Sequence, residues 1–250
     1  MSKFAIIGYP SRHSLSPALF GAAYPNSTDT YDFIETPTIE EAIKIFHTSG
    51  YLGANITSPF KRDVICLCDR IDDIASRAEA VNLIMRQNGR VCGYNSDYLG
   101  VRSIVENLLA EKRVLTSAVV TGAGGAGRAA ALALSDMKFN VTILNRTVEN
   151  ARIFAEKHKL SYGALSELKT LLTPNTLLVH AIDYELPSQS EIDLSKVVVI
   201  EANYKRPNLS TVGCNLYISG KEWLIFQAIP AFKILTGFLP DIEAIKKIGE

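Results

Sequence analysis

The sequence predicts an α/β protein of two α/β domains, and three observations carry that expectation. Short apolar runs alternate with amphipathic stretches from Lys3 onward, the rhythm of βαβ units that stack into a largely parallel sheet. The same rhythm restarts at Ser117. A glycine-rich stretch, VVTGAGGAGRAA, directly follows the first apolar run of that second part. With 250 residues, 47% of them apolar, the chain can bury a full core.

In chain order, KFAIIGY reads as a short buried strand, SPALFGAAY as a helix opening and YDFIET as a strand. TIEEAIKIFHTSG is an amphipathic helix stopped by Gly50, and YLGANIT is a strand again. Two helical pieces follow Lys61. Asn88-Gly89, set between the apolar runs of VNLIMRQNGRVCGYNSD, signals a hairpin. VRSIVENLLAEKR is the next helix. The second part reads as strand SAVVTG, helix AGRAAALALSDMK, strand NVTILNR, helices VENARIFAEKH and SELKTLL, then strands NTLLVHA and KVVVIEANY. From Gly220 the chain is helical to its end.

Charge excludes some function classes. The 26 basic residues balance the 26 acidic ones with no basic stripe, so the field that drives nucleic-acid or anionic-membrane binding is missing. A small-molecule partner is expected. The cysteines at 66, 68, 92 and 214 form no CxxC pair or zinc spacing, so no metal is expected and the thiols read as buried and reduced. MSKFAIIGYP lacks a long apolar run and a small-residue cleavage site. A cytoplasmic protein, monomer or homodimer, is expected.

Gly122, Gly124 and Gly127 form G-x-G-x-x-G between an apolar strand and an Ala-rich helix, the context in which this spacing binds dinucleotides. Together with Ala123, Gly125 and Ala126 they make the predicted cofactor turn, whose helix N-terminus offers free N–H groups to phosphates. An acid at the end of the next strand would accept the ribose hydroxyls of NAD. Here Asn145, Arg146 and Thr147 occupy that place, and a guanidinium can fork onto a 2′-phosphate that a carboxylate would repel. NADP is therefore favoured over NAD. The plainer alternative makes Arg146 a solvated strand-end residue.

In the first part, Ser16 before Pro17 reads as an N-cap with proline at the first helical position. Ser14, two residues earlier, could join it in holding a carboxylate at that helix N-terminus. Likewise Ser58 reads as an N-cap, Pro59 as the first helical residue and Lys61 as the third, a place that lowers a lysine pKa, while an adjacent Asp97 carboxylate would act the other way, so the sequence leaves the net shift open.

Taken in order, HSLSP, GANITSPFK, AVN, GYNSD, GAGGAGRAA with NRT, and GKEWLIFQAIPAFKILTG closely resemble shikimate dehydrogenases, almost from end to end. The resemblance implies an N-terminal substrate-binding domain, a Rossmann-type NADP-binding domain and C-terminal helices that return to the first domain. Residues 1–99 with 224–250 are expected to form the substrate domain, and 100–223 the NADP domain. It implies reversible NADPH-dependent reduction of 3-dehydroshikimate to shikimate, in aromatic amino-acid biosynthesis. By motif it assigns Ser14 and Ser16 to the substrate carboxylate and Thr57, Asn82, Asn95 and Gln227 to ring hydroxyls. Tyr204, in EANYKRP, fits the family pattern and joins the substrate residues, while Lys61 and Asp97 become the catalytic pair. Plainer readings exist for each: Asn82 and Asn95 as turn residues, Asp97 as an N-cap, Gln227 as a surface residue.

The chain also departs from the family pattern. His180, Ala181, Ile182, Asp183 and Tyr184 replace an Asn-Ala-Thr-Ser type turn, Glu201 and Asn203 stand in EANYKRP, Leu83 follows AVN, and Trp223 replaces a methionine. His180 is not expected to be catalytic, and His13 is expected to order the serine loop. Quinate is the alternative substrate. A non-catalytic NADP-binding regulatory module is the alternative of another class.

Overall fold

The computed structural model describes residues 1–187 and 189–249. The chain divides into two compact units, Met1–Ser96 with Gln227–Glu250 and Asp97–Phe226. Asp97 thus groups with the second unit and Gln227 with the first.

The first unit carries a six-stranded sheet of β1 (Lys3–Ile7), β2 (Thr30–Ile34), β3 (Gly53–Ile56), β4 (Arg70–Ile71), β5 (Leu83–Gln87) and β6 (Arg90–Tyr94), in the order β2-β1-β3-β5-β6-β4. β1 runs parallel to both β2 and β3, while β5 is antiparallel to β3 and β6. The β5–β6 hairpin turns at Asn88 and Gly89, both at positive φ (50° and 77°), which is what a two-residue hairpin loop demands. Helices α1 (Ser16–Ala23), α2 (Ile39–Thr48) and α3 (Asp73–Ala78) connect the strands. In α2 the apolar positions Ile39, Ala42, Ile43 and Phe46 recur at helical spacing and all are buried. Thr38 caps it by accepting from the Glu41 N–H, and Gly50 at φ 72° ends it.

The second unit begins with helix α4 (Ser96–Ala110), whose first residue, Ser96, belongs to the first unit. It carries β7 (Ser117–Thr121), β8 (Asn140–Asn145), β9 (Ser161–Ala164), β10 (Thr176–His180), β11 (Leu194–Glu201) and β12 (Cys214–Ile218), all parallel, in the order β12-β11-β10-β7-β8-β9. Read from β9, this is the doubly wound dinucleotide-binding order, with β7 and β10 at the switch point. Helices α5 (Gly125–Asp136), α6 (Val148–His158) and the short α7 (Leu168–Leu171) lie between strands. α8 (Gly220–Thr236) starts in this unit and ends in the first, where α9 (Ile242–Gly249) follows. Phe232 of α8 packs edge-on against Phe20 of α1, centroids 5.3 Å apart, in a cluster with Tyr24 and Tyr31.

Four local expectations are corrected. α1 begins at Ser16 itself, with Leu15 in the capping position and no side-chain cap. The Ser58–Pro59 segment opens no α-helix: the chain turns through residues 58–62 and makes a 3₁₀ segment at Asp63–Leu67. Lys61 therefore sits in a turn and not in the first turn of a helix. Asp97 is not an N-cap, because α4 starts one residue earlier. The thiols are free but none is fully buried: Cys66 is exposed and the others are half-buried, with burial pushing the Cys68 thiol up to about 12.

Among the described residues, no helix is long and apolar enough to cross a membrane.

Candidate active site

In parallel α/β sheets, ligands gather beyond the carboxyl ends of the strands, and the candidate residues of the first unit do so. β1 and β3 are neighbours, so the serine loop after β1 and the Lys61 turn after β3 emerge side by side. Thr57 N–H donates to the Ile7 carbonyl (2.8 Å), and Tyr9 N–H donates to the Ser58 carbonyl (3.2 Å). Within the loop the Ser14 hydroxyl donates to Ser16 Oγ (3.1 Å) and accepts from the Ser16 N–H (3.2 Å). Ser14 thus holds the backbone of the first residue of α1. Next to them, burial pushes the Tyr31 phenol up against the opposing effect of the Ser16 hydroxyl, and Tyr31 donates to Asn55 Oδ1 (2.6 Å).

The serine loop is held from β2 by a residue that sequence reasoning missed. Glu35 accepts from the Ser11 N–H (2.5 Å) and the Arg12 N–H (2.9 Å), with the Arg12 guanidinium at 3.7 Å. His13, expected to order this loop, is exposed; the carboxylate does that instead. Those amide donors hold the Glu35 carboxyl below its ordinary value of 4.5. A depressed folded-state value means that the clamp is intact above pH 4.5 and is lost as the pH falls below it. Replacing Glu35 with Ala is expected to raise KM for the acid substrate about threefold to tenfold, the scale of one ordinary hydrogen bond, because the clamp acts on the loop and not on the substrate itself. Steady-state kinetics should find kcat nearly unchanged.

A second cluster closes around the hairpin ends. Asn82 and Asn95 flank the hairpin and are 2% exposed, as a pair of solvated turn residues would not be. Asn82 Oδ1 accepts from the Ser96 N–H (2.7 Å), its Nδ2 donates to Ser96 Oγ (3.0 Å) and to Gln227 Oε1 (3.4 Å), and Ser96 Oγ donates to the same Gln227 oxygen (2.9 Å). Asn95 Nδ2 donates to the Ala80 carbonyl (2.8 Å). The backbone connects this cluster to the lysine turn, since Val81 N–H donates to the Lys61 carbonyl (2.7 Å). Gln227 is buried, not a surface residue. Ser96 was missed, although it lies between Asn95 and Asp97 in the very motif that the sequence singled out. Asp97, next in the chain, is 7% exposed, and its carbonyl accepts from Trp223 Nε1 (3.3 Å).

In the second unit the glycine turn has the form a dinucleotide needs. Gly122 is at φ 101°, and a Cβ on Gly127 would collide with the Gly122 carbonyl. Gly124 is exposed, and a Cβ there would meet only open space. That open approach to backbone N–H groups at the start of α5 suits a pyrophosphate, so the turn fits such a cofactor. Asn145 Oδ1 accepts from the Ala123 N–H (3.1 Å) and its Nδ2 donates to the Thr147 carbonyl (2.9 Å), which fixes the strand end to the turn. Arg146 and Thr147 are exposed beside it, and the Thr147 side chain does not cap α6. Buried Arg128, another residue missed, donates through Nε to the Ala123 carbonyl (2.9 Å) and lies over the Phe154 ring. Tyr204 lies in a loop held by buried Glu201, which accepts from the Asn208 and Leu209 N–H groups and the Tyr217 hydroxyl.

His180 is fully buried; its Nδ1 pairs with Thr121 Oγ1 (2.9 Å), and its Nε2 has no partner. Burial lowers its pKa from 6.5 to about 4. The unfolded state therefore binds the proton more tightly, and stability is full above pH 6.5 and falls as the pH drops through about 4. Over that window the loss is on the order of 3 kcal/mol. Denaturant titrations of His180→Asn, which cannot take up the proton, should show a flatter stability profile between pH 6.5 and 4.

Two family models match the chain: the shikimate dehydrogenase substrate binding domain over residues 6–84, and shikimate / quinate 5-dehydrogenase over residues 103–204. The NADP(+) shikimate dehydrogenase of Aquifex aeolicus is 34% identical, over 94% of this chain and 91% of its own length. The chain belongs to the shikimate dehydrogenase family. The enzyme of the same name from Thermococcus kodakarensis is 33% identical, covering 95% of this chain and 92% of its own. Among solved structures, shikimate 5-dehydrogenase from Thermus thermophilus, in complex with NADP(H) and shikimate, superposes with a TM-score of 0.83 at 30% identity, covering 100% of this chain and 98% of that one.

Proposed function

We propose that this protein is an NADP-dependent shikimate dehydrogenase that reversibly reduces 3-dehydroshikimate to shikimate, a step of aromatic amino-acid biosynthesis. What carries the reading is the buried amide and hydroxyl cluster of Asn82, Ser96 and Gln227, hydrogen-bonded through Val81 to the turn that bears Lys61. A cluster of buried hydrogen-bonding side chains suits a polyhydroxylated ring, whose hydroxyls offer both donors and acceptors. The reading assigns Asn82, Asn95, Thr57, Gln227 and Tyr204 to the ring, and Ser14 and Ser16 to the carboxylate at the start of α1. Residues 1–99 with 224–250 act as the substrate domain, and 100–223 as the cofactor domain.

NADPH, when bound, supplies a hydride to the ketone carbon. Negative charge then grows on the ketone oxygen, and the Lys61 ammonium stabilises it and delivers the proton. Asp97 orients the lysine and accepts a hydrogen bond from a ring hydroxyl. Gly122 to Gly127 hold the pyrophosphate, and the strand end Asn145–Thr147 serves the adenosine end, Arg146 and Thr147 meeting it while Asn145 fixes the turn. The enzyme acts in the cytoplasm as a monomer or homodimer.

Following cofactor absorbance in four assays, shikimate or quinate each with NADP or NAD, tests the reading. Activity with shikimate and NADP supports it. Preference for quinate would reassign the substrate, and cofactor binding without turnover on either acid would make the protein a regulatory module.

A further inference from the structure

We propose that Tyr184 is a specificity-determining residue of the cofactor site, its ring holding the Arg146 guanidinium ready for the 2′-phosphate of NADP; this rests on the NADP reading above. The Arg146 guanidinium carbon lies over the Tyr184 ring, 4.9 Å from its centroid, well inside the range of a cation–π contact.

Three features of the surroundings give this contact its function. Arg146 is exposed, and among the described residues no carboxylate pairs with it and no hydrogen bond fixes it. Glu149 and Glu156, in the helix that follows Arg146, both bind Arg152, at 2.6 and 2.8 Å, while Asp183 and Glu185, which flank Tyr184, are exposed and make no salt bridge to Arg146 among the described residues. The ring is therefore the group that restrains a side chain with large rotamer freedom.

The contact also leaves the right atoms unused. A cation–π contact engages the flat face of the guanidinium, whereas its five N–H donors point outward in the plane. Those donors stay available to phosphate oxygens. Asn145 spends both ends of its amide inside the protein, so it shapes the turn and leaves Arg146 and Thr147 to meet the ligand.

The platform itself is anchored. Ile182 and Leu186, two residues to either side of Tyr184, are 8% and 4% exposed and belong to the core of the second unit. Restraint before binding lowers the entropy cost of binding, and it does so only for a ligand that uses the arginine.

The test is calorimetric binding of adenosine 2′,5′-bisphosphate and of 5′-AMP, which differ by the 2′-phosphate alone. Tyr184→Ala is expected to weaken the bisphosphate about twofold to fivefold and to leave 5′-AMP unchanged. Tyr184→Phe should bind both like the parent, because the ring and not the hydroxyl carries the contact. Combined with Arg146→Ala, Tyr184→Ala should add nothing further. An unchanged bisphosphate affinity in Tyr184→Ala, alongside a loss in Arg146→Ala, overturns the role of Tyr184 alone. An Arg146→Ala variant that binds the bisphosphate normally overturns the NADP reading beneath it. Equal losses or gains for the two nucleotides would place the ring against the shared adenosine, and also overturn the proposal.

Discussion

Lys61→Ala is expected to lower turnover about 10²-fold to 10⁴-fold, the usual scale for a positioned acid or base. The structure makes this variant informative because the backbone hydrogen bonds of the turn survive removal of the side chain. Lys61 is half-buried, and its structural contact to Val81 runs through its backbone carbonyl, which alanine keeps. The turn is also held by Phe60 N–H donating to the Thr57 carbonyl, and Phe60 is 4% exposed. Thermal unfolding and NADP affinity should therefore match the parent protein. Stopped-flow or steady-state measurement of kcat is the check, and near-normal turnover would remove Lys61 from the mechanism. Asp97→Asn keeps the shape in the first turn of α4 and should likewise act mainly on kcat. A change confined to KM would recast Asp97 as a binding residue.

How far the fold was legible depended on where each strand lies in its sheet. The central strands β1, β3, β7, β8, β10 and β11 are apolar runs and were found from the sequence. The strands it missed, β4, β9 and β12, are all sheet edges, and the one edge it found, β2, carries the aromatic and apolar residues Tyr31, Phe33 and Ile34. An edge strand has one neighbour and is only partly covered, so Ser161–Ala164 and Cys214–Ile218 carry no continuous apolar run to read. The hairpin and the glycine turn were legible because each needs residues of unusual φ, and such residues are visible as Asn-Gly or as spaced glycines.

Site residues followed another rule. Lys61, Asn82 and Gln227 were found through motifs, whereas Ser96 and Glu35 were not, because their partners lie far away in sequence. Ser96 bonds Gln227 across 131 positions, and Glu35 bonds Ser11 across 24. A hydroxyl before Asp97 and an acid before Thr36-Pro37 look like ordinary cap and turn residues until the sheet brings those partners in. The Ser-Pro signal erred in the opposite direction. It predicted a helix at Lys61, but the chain must return to β4 at Arg70, and turns and a 3₁₀ segment fill the interval.

Gly127→Ala should destabilise the second unit and abolish measurable NADP binding, whereas Gly124→Ala should weaken NADP binding without destabilising it. The added methyl at 127 would overlap the Gly122 carbonyl, and neither side can retreat. Gly122 is held by its N–H to the Leu144 carbonyl (2.7 Å), with the Ala181 backbone and Ile182 packed against its other face. On the other side α5 carries Ala129 to Leu134, each at most 1% exposed, so moving the helix away would open the core. Overpacking of this kind costs about 1–3 kcal/mol, a fall in Tm on the order of 5–10 °C, and it shifts the helix N-terminus that would receive the phosphates. At Gly124 the same methyl meets open space and φ is negative at −78°, so the fold accepts it. The methyl would instead occupy room that a pyrophosphate needs, which makes NADP affinity fall while Tm stays. Measured side by side by calorimetry and thermal unfolding, the pair separates the glycine that packs helix on strand from the glycine that admits the ligand. Equal Tm losses in the two variants would defeat that division of roles.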